Sequence, residues 1–120
     1  MRRLTVFAPT LLMAACSAEE PKHTRLMDQI ESKVRMPAGS GPVSRYARYY
    51  AFDTKGGVSA LYTTHVDPQW KSLDLPVGQR RWLSNEAHLP AISEGGCSVV
   101  EVQFNSASEQ VERVECHERA

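Results

Sequence analysis

Arginine and aromatic residues cluster in two short stretches of this chain, 45–50 and 80–82. A guanidinium group binds phosphate or carboxylate through paired N–H donors, and Tyr and Trp suit partly buried binding surfaces. The candidate ligand-binding residues are Arg45, Arg48, Tyr49, Arg80, Arg81 and Trp82. The alternative is that the aromatic rings fill a core and the aliphatic parts of the arginines lie over them.

Other residue types show no spacing that defines a catalytic or metal site. The histidines are scattered, at positions 23, 65, 88 and 117. They do not form, with one another or with acidic residues or cysteines, the close spacings that define a metal site. No serine lies in a Gly-x-Ser-x-Gly or Ser-x-x-Lys context. Glu101 and Glu112 lie on a strand face that we expect to be solvated, where nothing would raise one pKa for acid catalysis. We therefore predict no catalytic residue, no metal and no cofactor.

The first fifteen residues have the composition of an export signal. Arg2 and Arg3 precede an apolar run from Leu4 to Met13, and the small residues Ala14 and Ala15 follow. The run is too short to span a bilayer. Residues 1–15 are therefore predicted to direct export and to be removed.

The junction Met13-Ala14-Ala15-Cys16 resembles the lipobox of bacterial lipoproteins. The resemblance is to small uncharacterised lipoproteins of Gram-negative bacteria, and it implies that Cys16 becomes an acylated N-terminus, carrying chains such as palmitate. Because no Asp follows Cys16, the resemblance also implies transport to the outer membrane, with the domain facing the periplasm. Ordinary secretory cleavage, which would leave Cys16 as a free thiol, is the alternative.

The mature chain is predicted to comprise a tether at residues 16–22 and one domain at residues 23–120. The full chain carries 14 Lys plus Arg and 14 Asp plus Glu, so removal of Arg2 and Arg3 leaves a formal net charge of −2 and indicates no nucleic-acid partner. Residues 22–55 are mainly basic and residues 86–118 mainly acidic. We expect the two regions to form weak ion pairs across one sheet; a charged binding surface is the alternative.

Cysteine number supports export independently of the signal. The chain has 3 cysteines, so acylation of Cys16 leaves Cys97 and Cys116 as the one intramolecular pair. An oxidising envelope compartment favours a disulfide between them.

Periodicity predicts the elements that must position these residues. Apolar residues on one helical face predict a helix from about Thr24, as its cap, to Arg35, followed by a stop at Met36-Pro37. Aromatic and β-branched runs predict a hairpin formed by residues 45–52 and 58–66. A third strand is predicted at residues 80–83, and a short helical turn at residues 85–88. Residues 67–78 are predicted to be irregular and held by Trp70, Leu73 and Leu75.

The C-terminal segment predicts a second hairpin. A four-residue loop at 105–108 places Phe104 opposite Glu109 and, in the same register, Cys97 opposite Cys116. Val100, Val102, Phe104 and Val111 would then share a core face, while the cysteines would lie on the other, mostly solvated face.

The predicted fold class is α+β, with an N-terminal helix packed on a small antiparallel sheet and a C-terminal hairpin closed by a disulfide. We expect an outer-membrane lipoprotein that is a binding or accessory module without enzymatic activity. Its expected partners are the membrane, through the acyl chains, and an envelope protein or anionic envelope component. The alternative is a lipid-anchored inhibitor of an envelope hydrolase such as lysozyme.

Overall fold

A computed structural model of the protein describes residues 20–92 and 95–117. It contains one α-helix, α1, and a five-stranded sheet, which confirms the predicted α+β class. The elements are α1 (Pro21–Lys33), β1 (Ala47–Phe52), β2 (Val58–Thr63), β3 (Arg80–Trp82), β4 (Val99–Asn105) and β5 (Gln110–Cys116). The strand order is β3-β1-β2-β4-β5, so β3 and β5 form the two edges of the sheet.

Helix α1 begins three residues earlier than the sequence predicted. Pro21 takes the first turn, where its missing N–H is no disadvantage, and Thr24 donates its backbone N–H to the carbonyl of Glu20 over 3.0 Å. Thr24 is therefore inside the helix and is not its cap. Residues 21 and 22, assigned to the tether, are helical, and the helix ends at Lys33 instead of Arg35. Its buried residues are Met27 and Ile30, as the periodicity predicted.

The hairpin of β1 and β2 is confirmed, and its turn is closed by Asp53. The Asp53 carboxylate accepts hydrogen bonds of 2.8 Å from the backbone N–H groups of Lys55 and Gly57.

Strands β1, β2, β4 and β5 pair antiparallel, whereas β3 pairs parallel with β1. The irregular segment 64–79 carries the chain from the end of β2 past β1 to the start of β3, at the same end of the sheet, so β3 runs parallel to β1.

The register of the C-terminal hairpin differs from the prediction. The turn lies at 106–109 and Val111, not Glu109, is opposite Phe104. Glu109 adopts a left-handed backbone (φ 59°), and Glu112 is an extra residue in β5, between the Phe104–Val111 and Gln103–Arg113 pairs. The turn shift and this bulge together displace the register by three residues, and an odd displacement exchanges the two faces of a strand.

The disulfide between Cys97 and Cys116 is confirmed, but by a different geometry from the predicted one. Cys116 is opposite Val100 in the sheet, and Cys97 lies before β4 in a 3-10 turn at Gly96–Ser98. The turn brings the two Cα atoms to 4.5 Å. Because the register is displaced, Cys116 packs with Val114 against the core instead of lying on the solvated face.

Apolar residues cover parts of both faces of the sheet. On the face under α1, the buried core comprises Met27, Ile30, Tyr46, Tyr50, Val58, Ala60, Tyr62, Val100, Val102 and Phe104. On the opposite face, Leu75 covers Ala47 and Tyr49. Leu75 is thus the buried anchor of the 67–78 segment, whereas Trp70, predicted to be another, is 59% exposed.

Candidate functional site

The structure divides the candidate ligand-binding residues between two faces of the sheet. Arg48 is paired with Arg80 in the β1–β3 register, and both side chains reach α1. Tyr49 is paired with Arg81, so these two residues lie on the opposite face, because side chains alternate along a strand. Arg45 is exposed in a 3-10 turn at Val43–Arg45, before β1.

On the helix face, the arginines are occupied by the acidic residues of α1. The Glu31 carboxylate accepts hydrogen bonds from Arg48 Nε at 2.9 Å and from Arg80 at 3.1 Å. Arg80 also donates to Asp28 at 2.8 Å. Arg48 is 8% exposed and also donates to two backbone carbonyls, those of Val43 and Tyr46. This network attaches α1 to the sheet and leaves Arg48 inaccessible to a ligand.

Two buried tyrosines complete the helix-face network. Tyr50 donates its hydroxyl to Glu31, and its oxygen is 2.8 Å from the hydroxyl oxygen of Tyr62. Burial raises the pKa of both phenols, and for Tyr50 the neighbouring Tyr62 and Glu31 raise it further. Both hydroxyls are therefore neutral hydrogen-bonding groups that satisfy polar atoms under the helix.

Trp82 connects β3 to the first turn of α1. Its indole stacks on His23 with 4.2 Å between ring centroids and 9° between ring planes. Phe52 meets the same indole edge-on at 4.8 Å. Trp82 is thus held between the helix and the sheet edge and is only partly exposed.

A cleft of about 580 Å³ lies beside β3. It is lined by Tyr49, Arg81 and Trp82 of the strands, by residues 71 and 72, and by residues 83, 84, 87–89 and 91. We call it the β3 cleft and define it by Tyr49, Lys71, Arg81, Ser84, His88 and Leu89. Among the described residues, its lining includes two cations, two serine hydroxyls and one imidazole but no carboxylate.

Arg81 and Lys71 give the β3 cleft its positive charge. Arg81 donates one N–H to Asp74 at 2.9 Å, and its side chain is 40% exposed. A guanidinium has five N–H donors, so most of those on Arg81 remain free for a ligand. Lys71 has no ion-pair partner within the described part of the chain. The cleft therefore presents donors that suit an anionic group.

Ser84 and His88 form a hydrogen bond at the wall of the β3 cleft, with 2.9 Å between Oγ and Nδ1. His88 is the last residue of the short turn at Glu86–His88, which Asn85 caps by accepting the N–H of Ala87, and Ser84 precedes that cap. No carboxylate contacts the imidazole of His88 in the described residues. A nucleophilic serine needs an oriented base and an oxyanion site, so we interpret this pair as polar lining that can bond a ligand.

The ion pairs do not join the two charged regions of the sequence as predicted. Arg48 pairs with Glu31 inside the basic region, and Arg113 approaches Glu115 inside the acidic one. In the described residues, one cation of the basic region, Lys33, contacts the acidic region, where its ammonium donates to the backbone carbonyl of Glu109 at 2.5 Å.

A second hollow, of about 560 Å³, lies between the turns of the two hairpins. Its carboxylates are bonded within the fold: Asp53 accepts from Gln103 at 2.6 Å, and Glu86 accepts from the backbone of Thr54 at 3.0 Å. These bonds join neighbouring turns. The cations of this hollow, Lys55 and Arg113, share its lining with three carboxylates, whereas the described lining of the β3 cleft has none.

The described residues contain no group of three or more His, Cys, Asp or Glu side chains placed to hold a metal ion. Within residues 20–92 and 95–117, no helix combines the length and apolar character needed to cross a membrane. Cys16 and the export signal lie outside the described residues.

Comparison with protein-family models, with curated proteins and with solved structures finds no match to this chain.

The structure thus brings together three of the six candidate residues, Tyr49, Arg81 and Trp82, at the β3 cleft. Sequence analysis missed Lys71, Ser84 and His88, which complete its polar lining. The sequence held one signal for these residues, their proximity to Trp70 and Trp82. It held no other, because the path of segment 64–79 decides which residues reach β3.

Proposed function

We propose that this protein is a lipid-anchored binding module of the outer membrane, facing the periplasm, whose β3 cleft binds an anionic group such as a phosphate or carboxylate. The observation that supports the cleft assignment is the presence of two cations, Arg81 and Lys71, in a lining without a described carboxylate. The apolar side chains of Leu83 and Leu89 provide contacts for the uncharged part of such a ligand.

The cleft supports binding more strongly than catalysis. Its polar groups are donors suited to holding negative charge, and the Ser84–His88 contact lacks the acidic partner of a hydrolytic triad in the described residues. We therefore propose a role without enzymatic activity. An envelope component with a phosphate or carboxylate group is the proposed partner.

Fluorescence titration tests the cleft. The chain has 2 Trp, so the Trp70→Phe variant reports on Trp82 alone. Glycerol phosphate should produce a saturable change in emission, and glycerol, which lacks the charge, should not. Arg81→Gln and Lys71→Gln should each weaken binding about tenfold through loss of charge-assisted hydrogen bonds. Arg113→Gln, an exposed arginine on β5, is the matched control. Equal binding by all variants would rule out the β3 cleft.

The anchor is tested separately. Mass spectrometry of the membrane-extracted protein should show a chain that begins at an acylated Cys16, and Cys16→Ser should prevent that processing. An equally processed, equally membrane-bound Cys16→Ser protein would refute lipidation. Lysozyme activity measured with the same preparations tests the alternative role as an inhibitor of an envelope hydrolase.

A further inference from the structure

The edge of the sheet at β3 lies next to the end of the chain that carries the proposed anchor. Pro21, the first residue of α1, follows Cys16 by five residues, which span at most about 18 Å when fully extended. The first turn of α1 then contacts β3 directly, because His23 stacks on Trp82. The chain that leads from the proposed anchor therefore enters the described structure beside β3.

The opposite edge of the sheet is farther from this point. Strand β5 lies four strand positions from β3, or about 19 Å at the usual strand spacing. Helix α1 crosses the sheet between the two edges, since His23 contacts Trp82 and Lys33 reaches Glu109. The end of α1 that is nearer in sequence to the proposed anchor therefore lies at the β3 edge.

The exposed large apolar residues of the described chain also lie on the segment that leads into β3. They are Val66, Trp70 and Val77, exposed by 42%, 59% and 46% respectively. Trp70 precedes Lys71 of the β3 cleft, and its indole makes no hydrogen bond to described residues. Tryptophan beside a basic residue is typical of surfaces that contact the lipid headgroup region.

The β3 cleft is continuous with the side of β3 that faces the anchor. A hollow lined by Glu20 and His23 of the first helical turn shares Arg81, Trp82 and Leu83 with the cleft. The route from the anchor to the cleft thus passes over one short strand. A ligand attached to the same membrane would reach Arg81 without leaving the surface.

We propose that the β3 edge rests on the membrane that holds the acyl anchor, and that the β3 cleft binds the phosphate of an anionic phospholipid headgroup there. This inference rests on the proposed function and specifies its ligand. Trp70 contacts the interface, while Lys71 and Arg81 bind the headgroup phosphate. The exposed apolar residues of segment 64–79 and the two cations of the β3 cleft have one common partner in this arrangement.

Quenching by brominated phospholipids tests the proposal with the acylated protein in vesicles. Vesicles of brominated phosphatidylcholine, with or without phosphatidylglycerol, should quench the tryptophan emission of the wild-type protein, more strongly when phosphatidylglycerol is present. Trp70→Phe should remove most of the quenching. Lys71→Gln and Arg81→Gln should each weaken the dependence on phosphatidylglycerol about fivefold, and Arg113→Gln should not.

An unquenched Trp70 in vesicle-bound protein, still accessible to iodide in the aqueous phase, would overturn the membrane-docking proposal. Glycerol phosphate binding, measured on the same preparations, distinguishes two cases. If glycerol phosphate still binds but the lipid does not quench Trp70, the β3 cleft is an anion site for a soluble ligand. If neither binding nor quenching is observed, the proposed function is refuted as well.

Discussion

The His23 imidazole and the Trp82 indole lie nearly parallel, with 4.2 Å between their centroids. This stack joins the first turn of α1 to the shortest strand of the sheet, and Phe52 closes it from the side at 4.8 Å from Trp82. Strand β3 has one neighbouring strand, β1, because it lies at an edge of the sheet. The stack with His23 gives β3 an additional contact, on the face that α1 covers. The conformation of β3, and with it the β3 cleft, therefore depends on this aromatic contact.

Replacement of His23 tests that dependence. His23→Ala should lower the free energy of unfolding by about 1 kcal/mol, the usual contribution of an aromatic pair, and should shift the emission of Trp82 to longer wavelength. Urea denaturation and fluorescence in the Trp70→Phe background measure the two effects. His65→Ala, at an exposed histidine, should change stability by less than about 0.5 kcal/mol. Equal effects of the two substitutions would contradict a specific role for the stack.

Arg48 and Arg81 should differ in what their loss affects. Arg48→Gln leaves the Glu31 carboxylate with one fewer cation in a largely buried network, so unfolding free energy should fall by about 2 to 3 kcal/mol. Arg81→Gln removes an exposed pair with Asp74 and should cost less than about 1 kcal/mol. Denaturant unfolding of both variants measures this. A large stability loss for Arg81→Gln would identify it as structural and weaken its assignment to binding.

Alkaline unfolding should report on Tyr50 and Tyr62. Their pKa values are raised in the fold, whereas in the unfolded chain they ionise near the ordinary value of about 10. Above about pH 10 the folded state therefore binds more protons than the unfolded state. The free energy of unfolding should keep its full value below that pH and fall as the pH rises above it. Absorbance of phenolate should appear for these residues only on unfolding. Tyr62→Phe should flatten the decline, and an unchanged pH profile would contradict the buried positions of the phenols.

The disulfide closes a segment with a sequence separation of 19 residues. In the chain-entropy description, this loop contributes about 3 kcal/mol, and Cys97→Ser or Cys116→Ser should lower the unfolding free energy by about that amount. The double variant should cost little more than either single one, because one bond is lost in each case. Non-reducing peptide mapping verifies the link. Free thiols at both positions in protein isolated without reductant would contradict the fold of the C-terminal hairpin.

Residue patterns predicted elements well where burial follows a simple period. Met27 and Ile30 lie three residues apart on the buried face of α1, and the run from Val58 to Thr63 has the composition of a buried strand. These features are local, so the sequence contains them directly. The start of α1 was misplaced because Thr24 is a favourable cap residue, while Pro21 at the first helical position was the better indicator.

The hairpin register and the site depended on features that residue types do not specify. The left-handed conformation of Glu109 and the extra residue Glu112 displaced Cys116 to the core face and left Cys97 outside the strand pairing. Alternation along a strand should have indicated that Arg80 and Arg81 point to opposite faces. The parallel pairing of β3 with β1 follows from the path of a long irregular crossover, and tertiary packing alone decides that path.

Nuclear magnetic resonance tests most directly whether the β3 cleft is the anion site. On addition of glycerol phosphate to isotopically labelled protein, the largest shift changes should occur at the Arg81 Nε–H and at the backbone amides of Ser72, Ser84 and Leu89, which line the cleft. The amides of β5 should not move. Changes confined to β5 or to the hairpin turns, or no saturable change at the Arg81 side chain, would contradict the assignment of the β3 cleft as a binding site.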